Sequence, residues 1–439
     1  MNDSKIIVSL DIGTTSMKVV VANAAPDQLS IIGVGSVHAQ GMDRGVIVDI
    51  DKAAQAIQAA VHKAASQSNT EIHDVVVGLP ANGLQIFSCQ GMIALNDHSK
   101  EIDDNDVHQV MAASLTQTLP AEQEYIALIP NSFTVDGFKN IKDPRKMLGT
   151  RLEFNGILYS LPKSIIHNCL MAVRRAGLNV TNEIIATSAI GQVALDKGER
   201  NFGSILIDLG GGQTTAAVIH DNKLKFATVD PEGGNLVTHD ISVVLNTTLD
   251  SAAKLQRYYG QANSASASDS EEFPVKVVGQ EELQNISAKY LAEIIEARLQ
   301  QIFERLRKPL TMVKALNLPG GVVLSGGLAE ITGIETLAQN ILGVKVKTFV
   351  PDQMGLRHPA FAEGLGLVSY SQSLTEIDVI AHDVIMQRGP KIQPRKQRPA
   401  MTSSPEVNSA QTKARSLEPK TEKTSTGERF KNFWKKFFD

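Results

Sequence analysis

The sequence predicts an α/β protein built from two related halves, and three stretches carry that prediction. IIVSLDIGTTSMKVVVAN (6–23) runs from an apolar strand through a glycine turn into a second apolar strand. SILIDLGGGQTTAAVIHDN (204–222) repeats that grammar: Asp208 stands where Asp11 stood, Gly210 where Gly13 stood, and hydroxyl residues follow. A matched pair reads as an internal duplication, two copies of one half-domain. LPGGVVLSGGLAEITGIETLAQNI (318–341) passes from a strand through Gly326-Gly327 into an amphipathic helix.

Each turn has a chemistry. Successive backbone N–H groups of glycine turns form a nest for anions. Gly13-Thr14-Thr15 and Gly210-Gly211-Gly212-Gln213 are therefore candidate phosphate loops, with hydroxyls as further donors and Lys18 as a nearby cation. Asp11 and Asp208 suit a hard cation such as Mg²⁺, which takes one or two carboxylates and keeps its waters. A plain β-hairpin would explain one such turn; two matched turns, both carrying Asp, favour the ligand. A glycine pair between strand and helix lets a flat base approach the backbone closely. Two phosphate loops and a glycine platform point to a nucleotide held between the halves.

The remaining elements follow in chain order. VVVGLPA (75–81) is a buried strand leaving the first half. LQIFSCQGMIAL, EYIALIPNSFTV and TRLEFNGILYSL then alternate as strands around one helix that opens at the N-cap cluster Asp103-Asp104-Asn105. SIIHNCLMAVRRAGL reads as a helix before the second phosphate loop. QANSASASDSEEFP (261–274) is a small-residue, acidic loop expected to be exposed. ISAKYLAEIIEARLQQIFERLRK (286–308) reads as a long helix with cations on its outer side.

From residue 388 to 426 the chain is rich in Pro, Ser, Thr, Lys and Glu and has no aromatic residue, a composition expected to be disordered. Such a tether spans about 35 Å root-mean-square. It ends in GERFKNFWKKFFD (427–439), which holds the single tryptophan of the chain. On a helix, Phe430, Phe433, Trp434, Phe437 and Phe438 fall on one arc, with Lys431, Lys435 and Lys436 among the residues covering the rest. Aromatics on one face and lysines around them match a helix lying in the headgroup region of a membrane. A partner's groove or the protein's own core are the competing surfaces; the long tether favours the membrane.

Composition sets outer bounds. At 439 residues the chain is too long for one compact core. A net charge of −4 gives no sign of a nucleic-acid partner. The two cysteines, Cys89 and Cys169, have neither disulfide nor zinc-site spacing, and a reducing cytoplasm fits them. The first residues lack a basic, apolar leader, and no run reaches the roughly 18 apolar residues of a membrane span. The expectation is a cytosolic protein that meets a membrane through its tail.

Together, DIGTTSMKV, IDLGGGQTT and VVLSGGLAEITGI resemble the phosphate-one, phosphate-two and adenosine motifs of the actin-like ATPase superfamily. EGGNLVTHDI (232–241), DPRKMLGTRLE (143–153) and the tail narrow the resemblance to the bacterial FtsA cell division family, across essentially all of residues 5–439. The resemblance implies an actin-like two-domain fold of duplicated ribonuclease-H-like halves. Its subdomains would be 1A (1–81, 164–199 and a return at 359–387), an inserted 1C (82–163), 2A (200–228, 306–358) and 2B (229–305). A disordered linker (388–426) and an amphipathic helix (427–439) would follow. It implies ATP with Mg²⁺, and adds Gly233, Gly234 and Asn235 to the nucleotide contacts. It further implies self-association into filaments at the cytoplasmic side of the membrane, at the septum. The C-terminal tail of the tubulin-like FtsZ would bind 2B through cations such as Lys289 and Arg298, and other divisome proteins would join.

Two regions depart from the family pattern. The helix 247–260 carries Ala253 and Gln256 where the family has an acid and a lysine for ribose and base, with Lys254 and Arg257 as possible substitutes. The water-orienting position before the second phosphate loop falls near Ala186, and Glu183 is a turn away. ATP binding with weak or absent hydrolysis is therefore expected, with no catalytic residue assigned. A sugar-kinase-like phosphotransferase would need a catalytic Asp and a sugar pocket, and a chaperone-like reactivating ATPase would need a substrate-binding domain. The sequence nominates neither.

Overall fold

The computed structural model describes residues 5–25, 28–95, 100–116 and 118–388. The expected linker and terminal amphipathic helix, from residue 389 on, lie outside the described residues.

The chain begins with an antiparallel meander, β1 (Lys5–Ile12), β2 (Ser16–Ala25) and β3 (Gln28–His38), followed by a small hairpin of β4 (Met42–Asp43) and β5 (Val46–Ile47). Helix α1 (Ile50–Ser68) starts at Asp49, whose side chain accepts from the Lys52 N–H, and its alanine-rich face packs on β2 and β3. Strand β6 (Asp74–Leu79) then lies parallel to β1.

An insert interrupts this half. It comprises β7 (Gln85–Ala94), β8 (Lys100–Glu101), α2 (Asp104–Ala113), β9 (Gln123–Val135), β10 (Phe138–Ile141), β11 (Leu148–Gly149) and β12 (Arg151–Pro162). Four strands form an antiparallel sheet in the order β10-β9-β12-β7. Helix α2 opens with a reciprocal capping box between Asp103 and Asp106, as the acidic cluster predicts.

Helix α3 (Lys163–Arg175) returns the chain, β13 (Asn179–Ile185) completes a sheet in the order β13-β6-β1-β2-β3, and α4 (Ala186–Ala194) and α5 (Lys197–Phe202) follow. The second half starts with β14 (Ser204–Leu209), β15 (Thr214–His220) and β16 (Lys223–Asp230). Next come α6 (Gly234–Val244), α7 (Leu249–Tyr259), the hairpin β17 (Glu272–Lys276) and β18 (Leu283–Ser287), and α8 (Ala288–Met312). Strand β19 (Val322–Ser325), α9 (Ile334–Leu342) and β20 (Val346–Thr348) close the sheet β16-β15-β14-β19-β20. The two five-stranded sheets share one topology: an antiparallel meander continued by two parallel strands. The duplication is a fact of the fold.

Two regions differ from expectation. The segment 261–274 is only partly exposed, because Ala262 is buried and Glu296 on α8 accepts from the Ser264 N–H at 2.8 Å. Helix α8 runs through Pro309 to Met312, held there by the buried Leu310.

The chain ends in α10 (Ala362–Ser373) and α11 (Glu376–Arg388). Helix α10 packs on β1 and α4 of the first half. Helix α11 does not follow it; it lies on the insert beside α2 and β9. There Ile377, Ala381, Val384 and Ile385 join Val107, Val110, Met111, Phe133 and Phe154 in one core. Arg145, from the segment that marked the insert, pairs with Asp143, Asp104 and Glu376 and fixes the start of α11 to the insert. The return at 359–387 is thus shared between two bodies.

Candidate nucleotide-binding cleft

One cavity of about 1130 Å³ lies between the halves and collects the glycine turns of both. The β1–β2 turn supplies Gly13, Thr14 and Thr15; the β14–β15 turn supplies Gly210, Gly211, Gly212 and Gln213. Strand register explains the convergence. Asp11 and Asp208 each stand one residue short of the end of their strand: Asp11 on β1 opposite Lys18 of β2, Asp208 on β14 opposite Thr215 and beside Ser325 of β19. A Gly210 N–H bond to the Gln213 carbonyl at 3.0 Å closes the second turn.

The two turns meet face to face. A β-carbon at Gly211 would overlap Thr15 Oγ1, and one at Gly212 would lie 2.7 Å from Thr14 Oγ1. Thr15 Oγ1 donates to Asn235 Oδ1 at 3.4 Å, and Asn82 Nδ2 donates to Gln213 Oε1 at 2.9 Å. Thr14 Oγ1 accepts the Gly45 N–H at 2.9 Å, which ties the β4–β5 hairpin to the rim. Gly234 and Asn235 line the cavity at the start of α6. Gly233 is not among the lining residues; it stands behind the second turn, where a β-carbon would meet the Gly211 carbonyl at 2.8 Å.

Gly326 follows β19 with φ +89°, a conformation that favours glycine. A β-carbon there would lie 2.6 Å from Asp208 Oδ1, whereas Gly327 faces more open space. Asp250, Ala253, Gln256 and Arg257 of α7 line the same cavity, and Lys254 is not among the lining residues. Gln256 accepts from Thr238 Oγ1 at 2.5 Å. His358 takes the Ala360 N–H on Nδ1, so its Nε2 carries the proton and donates to Glu330 at 2.8 Å.

The floor is charged. Lys18 Nζ pairs with Asp11 Oδ2 at 2.9 Å. Burial pulls Lys18 down, yet Asp11, by charge and hydrogen bond, with help from Glu363 and Asp208, holds its pKa above the usual lysine value. Burial first, then the charge of Asp11, pushes Asp208 up to about 6 against the pull of Lys18. Lys18 is matched by Asp11, and among the described residues neither Asp208 nor Glu363 has a salt-bridge partner of its own. The carboxylate oxygens of Asp11 and Asp208, beside two turns rich in N–H groups, fit a metal–phosphate ligand.

Other sequence expectations fall elsewhere. Glu183 sits in β13 and does not line the cavity; burial, then Glu124, pushes it up to about 7. Ala186 does line it, with no polar side-chain atom to offer. Lys289 pairs with Asp269 at 2.9 Å on the surface. Arg298 is turned inward, not outward: its Nε lies 2.6 Å from Asp240 and its Nη1 2.9 Å from Glu232. Those carboxylates, Asp240 first, raise its pKa. Glu363, Gly45, Glu330 and His358 line the cavity and were missed by sequence reasoning, as was Asn82, which holds Gln213 from outside it. For Glu363 a signal existed: it is the one charged residue of the helix AEGLGLVSYSQS.

The fold defined by these paired sheets is shared with actin-like proteins. The PilM–PilN type IV pilus biogenesis complex gives a TM-score of 0.59 at 17% identity over 84% of this chain and 99% of that one. MreB5 of Spiroplasma citri bound to ADP gives 0.52 at 12% identity, over 84% and 96%. The family profile for cell division protein FtsA matches residues 205–366, and that for the SHS2 domain inserted in FtsA matches residues 81–160. FtsA of Enterococcus hirae is 50% identical over 374 residues, 85% of either chain. FtsA of Bacillus subtilis is 39% identical over 371 residues, 84% of either. The chain belongs to the FtsA family of cell division proteins, with an SHS2 insert in an actin-like fold.

Proposed function

We propose that this actin-like cell division protein binds ATP, assembles on the inner face of the cytoplasmic membrane and tethers FtsZ filaments there during divisome assembly. The observation that carries the nucleotide reading is the meeting of both glycine turns, Asp11, Asp208 and Gly326-Gly327 in one cleft. In relatives of the same fold, MreB5 of Spiroplasma citri is seen bound to AMPPNP and MamK as a double helical filament. They support nucleotide binding and self-association here.

On this reading Asp11 and Asp208 hold Mg²⁺, directly or through its waters, and the metal when bound offsets phosphate charge. The residues of the chain do the rest. The nests at Gly13 and Gly210–Gly212 bind phosphate oxygens, Thr14 and Thr15 add hydroxyl donors, and Lys18 supplies a fixed cation. Gly234 and Asn235 hold the second turn in place through main-chain bonds of 3.0 and 2.8 Å. Gly326-Gly327 receives the base beside Gln256 and Arg257. Membrane attachment rests on the aromatic and lysine pattern of residues 427–439, and FtsZ binding on the α6–α8 subdomain that carries Lys289 and Arg298. No helix among the described residues is long and apolar enough to cross a membrane.

Flotation with anionic vesicles tests the reading. Deleting the last twelve residues abolishes flotation while titration with Mg·ATP still gives saturable binding. Flotation of the truncated chain, or absence of ATP binding to the full chain, overturns the corresponding half.

A further inference from the structure

Helix α10 reaches the cleft through unusually close packing. A β-carbon at Gly364 would lie 2.9 Å from Val20 Cγ2, so the helix start is pressed onto β2. This approach delivers Glu363 to the cleft floor, where it lines the cavity with Asp11, Lys18 and Asp208. On β6, Gly78 makes room: a β-carbon there would overlap Glu363 Oε1. The other candidate position, Ala186, lines the same cavity with only a methyl group.

We propose that Glu363 orients the water that attacks the terminal phosphate of ATP in this cleft. This rests on the nucleotide reading above and gives it a hydrolytic step. The water oxygen bonds to the γ-phosphorus while the bond from phosphorus to the β–γ bridging oxygen breaks. That electron pair leaves on ADP, and the water proton passes to the released phosphate. Glu363 accepts a hydrogen bond from the water and keeps no proton from it. Burial, then the charges of Asp11 and Asp208, hold its carboxyl well above the usual range, with Lys18 opposing. A neutral carboxyl still accepts through its carbonyl oxygen.

The test compares the full chain with Glu363→Ala, Glu363→Gln and Glu363→Asp, each checked for folding by melting. ATP turnover, affinity for a fluorescent ATP analogue, and trapping of ADP with aluminium fluoride are measured. Glu363→Ala lowers kcat by about 100-fold, the scale set by a misplaced reactant, loses aluminium fluoride trapping, and keeps analogue affinity. Glu363→Gln retains most of kcat, because its amide oxygen still accepts; Glu363→Asp lowers kcat without changing KM. Wild-type turnover and trapping in Glu363→Ala, or no turnover by the parent chain while it binds the analogue, overturns the assignment. A parent chain that binds no analogue overturns the cleft reading instead.

Discussion

Tyr159 of β12 donates its phenolic hydroxyl to the main-chain carbonyl of Leu224 on β16 at 2.8 Å. The insert, rooted in the first half, is thereby bonded to the second. Tyr159 is buried, so Tyr159→Phe keeps the ring packing and leaves the carbonyl without this donor. The expected cost is about 1–2 kcal/mol. It should be read as a lower melting temperature together with faster hydrogen exchange along β16. Unchanged exchange there would mean that the bond does not join the two bodies in solution.

The contact between the phosphate loops makes Gly211→Val a test of both at once. The branched side chain meets Thr15 before it meets any phosphate. A folded Gly211→Val chain should lose ATP affinity by tenfold or more, equivalent to about 1.4 kcal/mol. Gly211→Ala should show a smaller loss. Titration calorimetry distinguishes them, and full affinity in the valine variant would remove the loop from the site.

Glu183 gives a pH signature away from the cleft. Burial raises its folded pKa to about 7 from the usual 4.5. The folded state therefore binds the proton more tightly than the unfolded one. Its favourable contribution is fully present below about pH 4.5 and disappears as pH rises through 7. Glu183→Gln should then stabilise the chain at pH 8, by up to about 3 kcal/mol, with the advantage vanishing toward pH 4.5. Melting curves across that range check it. A gain that persists at pH 4.5 would point to packing instead of charge.

Arg298 and Lys289 should behave differently on charge reversal. Arg298→Glu places a third negative group beside Asp240 and Glu232 and should lower the melting temperature of the α6–α8 region. Lys289→Glu breaks only a solvent-screened surface pair with Asp269 and should leave the fold intact. Titration with an FtsZ tail peptide then isolates binding. A selective loss of affinity in Lys289→Glu places the peptide on the exposed start of α8; no loss moves it elsewhere.

The single tryptophan reports on the terminal segment. Trp434 emission should shift to the blue when anionic vesicles are added. Trp434→Glu removes apolar burial worth roughly 1.5–3 kcal/mol at full immersion and should cut vesicle binding by about tenfold or more. Lys435→Glu should matter mainly at low salt, where charge is less screened. Emission typical of a water-exposed indole on a chain that still floats would move the anchor elsewhere.

Glycine turns, apolar strands and the acidic cap of α2 were legible because each obeys a local rule: period, turn chemistry or capping. The duplication was legible because Asp11 and Asp208 recur in the same frame. What local rules miss is contact between distant segments. Nothing near Asn82 announces Gln213, and nothing near Arg298 announces Asp240 and Glu232. Helical spacing places Arg298 on a polar face but cannot say that another helix covers that face. Likewise the apolar positions of α11 show that it packs, not that its partner is the insert.

That last partnership bears on how the protein is made. The strands of the insert are complete at Pro162, yet the helix that supplies Ile377, Ala381, Val384 and Ile385 is translated about 210 residues later. At ribosomal speeds of about 5–20 residues per second, that is roughly 10–40 s. During that interval the nascent insert lacks part of its core, although its own strands and α2 are already synthesised. Its maturation therefore waits on the last described helix, and a stop codon before residue 376 would leave an early module permanently unfinished.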